Sequence, residues 1–133
     1  MGLIRHSKHI TRGPRWKSLR MAVLERDGYA VVHATGGGEA IDIAIKSARH
    51  ATKRRKIVSL IKAYHGHTGL AVATGDDRFT KFFLSEQDED FPHVPFNDLA
   101  AMEQALAGGD VAAVIMETIP ATYGFPLPDP GYL

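Results

Sequence analysis

The sequence predicts an α/β fold, a mostly parallel sheet flanked by helices. Three observations lead there: short, largely apolar runs at residues 29–34, 57–61 and 111–116, helix-periodic stretches between them, and glycine breaks at the junctions. A nearly continuous apolar run suits a strand covered on both faces. An intervening helix supplies the crossover that parallel neighbours require, right-handed by the general rule.

Taken in order, Trp16, Leu19, Val23 and Leu24 recur at helical spacing over residues 14–27, with Pro14 near the start and Gly28 past the end, and predict an amphipathic helix. Residues 29–34 predict a strand that runs into Thr35, Gly36, Gly37 and Gly38, a tight backbone feature. Beyond it Ile41, Ala44, Ile45, Ala48 and Ala51 share one face, while Asp42, Lys46, Arg49 and Lys53 fall largely elsewhere. This predicts a helix of about four turns. The basic patch of Lys53, Arg54, Arg55 and Lys56 leads into a second strand at 57–61. Residues 63–92 predict loops and one short helix, with a solvated acidic stretch at 85–90. Asn97 is placed to cap a helix whose Leu99, Met102 and Leu106 face inward and whose end is marked by Gly108 and Gly109. Residues 111–116 follow as a buried strand, and Pro120, Pro126, Pro128 and Pro130 forbid regular structure after it.

Composition narrows the function classes. The 133 residues can bury a modest core, and 16 basic against 15 acidic residues leave a net charge of +1, which gives no global field for nucleic acid or a membrane surface. There is no cysteine, hence no disulfide, thiolate metal site or cysteine nucleophile. No apolar run approaches the roughly 20 residues that span a bilayer. A soluble, cytoplasmic protein is expected. Arg5, Lys8, Arg12, Arg15, Lys17 and Arg20 all precede Glu25, the first acidic residue. A targeting segment shares that composition, but a solvated basic helix face is its commoner meaning.

The turn at residues 35–40 joins a strand to a helix, and its free N–H groups, aided by the helix dipole, suit an anion such as phosphate. A glycine-rich corner that binds nothing is the alternative. A P-loop would need a lysine followed by Ser or Thr where Glu39 and Ala40 stand, and the dinucleotide fingerprint fails because Ile41 takes its third fixed position. Tyr64, His65, Gly66 and His67 follow the second strand, at the sheet edge where open α/β folds bind ligands. An aromatic ring there can stack on a flat ligand or simply pack. His65 and His67 have no third ligand near them in sequence and read as polar loop residues rather than metal ligands. Glu117 ends the third strand at the same edge, where a role toward the crevice and a structural role are equally open. Glu39 suits the helix dipole.

Together and in order, these segments resemble the class III aminotransferases, pyridoxal-phosphate enzymes of fold type I. The resemblance rests on Gly36, Gly37, Gly38, Glu39 and Ala40, on the Ile45, Lys46, Ser47, Ala48, Arg49 pattern, and on the basic run into Ile57. It continues through Tyr64, His65 and Gly66, then residues 94–99, then Ile115, Met116 and Glu117, and finally residues 128–133. It covers about residues 29 to 133, leaving 1–28 as a basic segment that these motifs do not reach.

The resemblance implies a partial three-layer sandwich, part of the fold-type-I large domain. Gly36, Gly37 and Gly38 would hold the cofactor phosphate, Tyr64 would lie over the pyridine ring, and Glu117 would stand near it. Where the family commonly has Ser or Thr, Gly36 stands, so that hydroxyl is missing. The family's essential aspartate and Schiff-base lysine lie beyond the point matching Leu133, and Lys46, Lys53, Lys56 and Lys62 do not match the lysine's position. The expectation is therefore a fragment that carries the phosphate loop and the ring-stacking tyrosine without the catalytic lysine, inactive by itself. The parent would be a homodimer that passes an amino group between an amino donor and a 2-oxo acid or aldehyde. The other reading is a non-catalytic α/β remnant or interaction module.

Overall fold

The computed structural model of the chain describes residues 36–85 and 89–133. The helix expected at 14–27 and the strand expected at 29–34 lie outside the described residues. Within them the expected α/β architecture is found: a three-stranded, wholly parallel sheet in the order β2-β1-β3, with helices on both faces.

Helix α1 (Gly37–Thr52) runs for 16 residues and stops where Lys53 turns left-handed at φ 58° and donates its N–H to the Arg49 carbonyl. Its inward stripe is narrower than the sequence suggested. Ile45 is fully buried and Ile41, Ala112 and Ala113 pack in the same cluster, but Ala44 and Ala51 are exposed. Asp42 and Arg49 depart from the solvated pattern as well. Asp42 accepts from the Ala71 N–H at 2.8 Å. Arg49 donates through Nε to the Arg55 carbonyl at 2.7 Å and lies over the Phe91 ring.

Strand β1 (Lys56–Leu60) is the centre of the molecule, with Ile57, Val58, Ser59 and Leu60 all fully buried. Alternate side chains go to opposite faces. Ile57 joins Ile45 and Phe91 on the α1 side, while Val58 and Leu60 join Val94, Phe96 and Met102 on the other. A buried hydroxyl between these apolar neighbours needs a partner, and Ser59 Oγ donates to the Thr74 carbonyl at 2.6 Å. That bond ties β1 to a 3₁₀ turn (Val72–Thr74), which leads into the short helix α2 (Asp77–Phe82). Ile61 is 45% exposed, so the strand ends one residue earlier than its apolar run.

Strand β2 (His93–Val94) has only two residues and pairs Ser59 with His93 and Leu60 with Val94. Helix α3 (Leu99–Leu106) follows, and its cap corrects the sequence reading: the Asp98 carboxylate, not Asn97, accepts from the Ala101 N–H at 2.9 Å. Asn97 sits in the left-handed region at φ 64° and cannot adopt the cap geometry. Only Met102 of the three expected inward residues is buried. Leu99 and Leu106 are 49% and 39% exposed, since α3 meets the sheet along one short line. Strand β3 (Val111–Val114) is shorter than the apolar run at 111–116, and Val114 is 36% exposed because it lies on the outer side of the described sheet. Its register slips where Lys56 and Ile57 pair with Val111 and Ala113, an irregularity of the bulge type.

The acidic stretch is not uniformly solvated. Asp90 pairs with Arg55 at 2.6 Å, and Asp110 with Lys56 at 2.6 Å, so part of the basic patch before β1 is neutralised where the strand begins.

Candidate functional site

The start of α1 is the first component. Gly36 is extended, at φ −145° and ψ 163°, and its carbonyl accepts the Ala40 N–H at 3.1 Å as the first turn closes. An α-helix has no internal acceptor for its first N–H groups, so those of Gly37 and Gly38 are directed out of the helix end. Among the described residues, a Cβ added at Gly36 or Gly37 would meet nothing within 4 Å.

Gly38 serves a different purpose. A Cβ there would stand 2.7 Å from Thr68 Oγ1, and a Cβ on Gly66, whose φ is 115°, would stand 2.5 Å from the Gly38 Cα. The loop after β1 therefore touches the helix start backbone to backbone, which only two glycines permit. The Asp42 to Ala71 bond secures the far end of that loop to the same helix.

Tyr64 lies two residues before Gly66 and is 43% exposed. Its N–H donates to Glu117 Oε1 at 2.8 Å, and Glu117 Oε2 accepts from the Ala121 N–H at 3.0 Å. Both carboxylate oxygens thus hold main chain, joining the loop after β1 to the segment after β3. The Tyr64 ring meets His67 and Phe79 edge-on, with centroids 5.0 Å and 5.5 Å away. Lys62 places its ammonium 5.0 Å from the Tyr123 ring centroid, and its carbonyl accepts from the Thr122 hydroxyl.

His65 is half-buried, and its Nε2 has no hydrogen-bond partner among the described residues. Burial pushes its pKa below the ordinary histidine value; the Glu117 charge opposes this and His93 adds to it. Burial also depresses His93, against the nearby Asp77 charge. Among the described residues no group of three or more His, Cys, Asp or Glu is placed to hold a metal ion. A separate hollow of about 940 Å³ is lined by Ile61, Lys62, Asp76, Arg78, His93 and Tyr123 among others, and neither the glycines nor Tyr64 nor Glu117 lines it.

Along one edge of the sheet the structure thus connects Gly38, the Tyr64 loop and Glu117, with Gly36 and Gly37 continuing the same helix start. Sequence reasoning missed Asp42, Thr68 and Phe79 as parts of this assembly and took His67, at the same edge, for a polar loop residue. The available signal was Gly66 and Gly69 flanking His67 and Thr68, a spacing that marks close backbone approach without saying to what.

Solved structures that share this architecture include transaminases. The taurine:2-oxoglutarate aminotransferase of Bifidobacterium kashiwanohense, solved with PLP and glutamate, is 30% identical with a TM-score of 0.65 over 74% of this chain and 27% of that one. The ornithine aminotransferase of Toxoplasma gondii is 26% identical with a TM-score of 0.68, covering 84% of this chain and 29% of that one. The class defined is therefore the α/β fold of aminotransferases. More narrowly, residues 14–133 match the family described as aminotransferase class-III, and the chain belongs to that family. The match begins ahead of residue 29, where the motifs quoted above start.

An uncharacterized aminotransferase of Archaeoglobus fulgidus is 53% identical over 97 residues, which is 73% of this chain and 22% of that protein. The acetylornithine aminotransferase of Halalkalibacterium halodurans is 36% identical over 129 residues, 96% of this chain and 33% of that protein. The chain spans between about a fifth and a third of the curated relatives it matches.

Proposed function

We propose that this chain is the part of a class III aminotransferase that grips the phosphate of pyridoxal 5'-phosphate and covers one face of its ring. The observation that carries the reading is the contact between Gly38 and Gly66, which sets the open helix start beside the loop bearing Tyr64. The donor chemistry fits a phosphate: backbone N–H groups at a helix start, with no Cβ of Gly36 or Gly37 to obstruct approach. The N–H groups of Gly37 and Gly38 would bind the phosphate, and Tyr64, 43% exposed, would flank the ring. Glu117 holds the Tyr64 main chain in place rather than supplying a proton, since both its oxygens accept main-chain N–H groups.

When bound, the cofactor withdraws electrons from the carbon bearing the amino group and carries that group between an amino donor and a 2-oxo acid or aldehyde. No lysine among the described residues takes part in the assembly at the helix start. The 133-residue chain is accordingly expected to bind without turning over. The same reading includes a cytoplasmic setting and pairing with a second copy.

Titration with pyridoxamine 5'-phosphate, which has no aldehyde to react with surface lysines, tests the reading. Weak saturable binding is expected, displaced by inorganic phosphate and abolished by Gly38→Leu. Absence of binding at millimolar ligand, or binding indifferent to Gly38→Leu, would leave the glycine turn as a corner and the chain as a non-catalytic α/β piece. Transaminase turnover by the purified chain would refute the assignment of the lysine elsewhere.

A further inference from the structure

We propose that His67 is a positioning residue that fixes the Tyr64 ring for the cofactor, a role resting on the reading that Tyr64 flanks that cofactor. The Glu117 bond secures the main chain of Tyr64 but not its side-chain torsions. Something else must hold the phenol, which is 43% exposed. The imidazole of His67 meets it at a centroid distance of 5.0 Å and an interplanar angle of 85°, and Phe79 meets it at 5.5 Å and 69°. His67 is itself held between rings, 4.8 Å from Phe79 and 4.9 Å from Phe83.

The backbone of His67 is fixed from both sides. Gly66 before it and Thr68 after it are the two residues packed against Gly38 at the start of α1. The imidazole thereby carries the position of the phosphate-binding turn over to the phenol. Its edge-on geometry matters too. Neither His67 nor Phe79 lies parallel to the Tyr64 ring, so neither takes the stacked position that a flat ligand ring would use.

The test uses the 133-residue chain and pyridoxamine 5'-phosphate, reading the circular dichroism induced in the ligand's absorption band together with the affinity. A ring held in one orientation gives a signed band, whereas a loose ring gives little. Tyr64→Ala should abolish the band. His67→Leu, which keeps bulk but removes the aromatic edge, should cut the band at least by half and weaken binding about threefold, the scale of one aromatic pair. His67→Phe should restore both. Thermal midpoints of the two His67 variants should match the parent, separating positioning from folding. If His67→Leu lowers the midpoint, Phe83→Leu, which frees the imidazole from its outer side, should still reduce the band. A band sensitive to Tyr64→Ala but unchanged in His67→Leu and Phe83→Leu overturns this proposal alone. A parent chain with no binding overturns the cofactor reading and this role with it.

Discussion

A Cβ on Gly66 would stand 2.5 Å from the Cα of Gly38, at a φ of 115° that L side chains rarely adopt. Neither partner can retreat cheaply, because both atoms belong to main chain. Gly66→Ala should cost roughly 3 kcal/mol in urea unfolding and abolish cofactor binding with it. Gly37→Ala, which meets nothing within 4 Å, should leave stability nearly unchanged. The two histidines depressed by burial predict a pH dependence. His65 and His93 titrate lower in the folded chain than in the unfolded one. As pH falls below the ordinary histidine value of about 6.5, the unfolded chain takes up protons that the folded one refuses, so stability drops. Above that value the contribution is fully present. Urea unfolding should give midpoints that rise with pH up to about 7, with a shallower rise for His65→Gln. A slope unchanged by that substitution would remove His65 from the account. At this scale the sequence showed which residue types matter, as with Gly38 and Tyr64. It could not show what each touches: the partner of Gly38 is 28 residues away in Gly66, and no periodicity encodes that pairing.

Helix α3 shows how far local signals reach. Asn97 and Asp98 are both good cap residues, and the sequence does not choose between them. The choice falls to Asp98 because Asn97 is used differently: its Nδ2 donates to the Leu127 carbonyl at 3.1 Å and its Oδ1 accepts from Asp129 at 3.0 Å, tethering the proline-rich segment. Asp98→Ala should therefore cost about 1 kcal/mol through the helix, whereas Asn97→Ala should loosen residues 127–129 and leave the helix start intact. Hydrogen exchange by residue separates the two outcomes. Strands β1 and β3 were legible as apolar runs but not their ends, and the two-residue β2 was not foreseen, having no such run. Ile61 and Val114 belong to runs that stay apolar, and both are exposed, beyond or at the margin of the described strands. The register slip of β3 beside Lys56 has no sequence mark at all.

Across the whole molecule, the described sheet has a two-residue strand on one side and a partly exposed β3 on the other. Large apolar side chains remain in solvent, Leu84 at 91%, Phe82 at 79%, Leu127 at 70% and Phe125 at 67% among them. A parallel sheet normally has both faces and most edges covered, so this much exposure leaves little stability in reserve. The purified chain should unfold at a low midpoint, bind an apolar dye and associate as concentration rises. A monomer with a sharp, reversible transition at high temperature would contradict that.

The bridge from Glu117 to the Tyr64 amide joins positions 53 apart in the chain, and it can close only after β1 and β3 have aligned. Most amides in a surface loop exchange with deuterium as fast as the solvent allows. The Tyr64 amide should be an exception, exchanging slowly once the rim has formed and quickly in Glu117→Ala. In refolding experiments it becomes a clock for the last stage of assembly, one peptide proton reporting that two distant stretches have met.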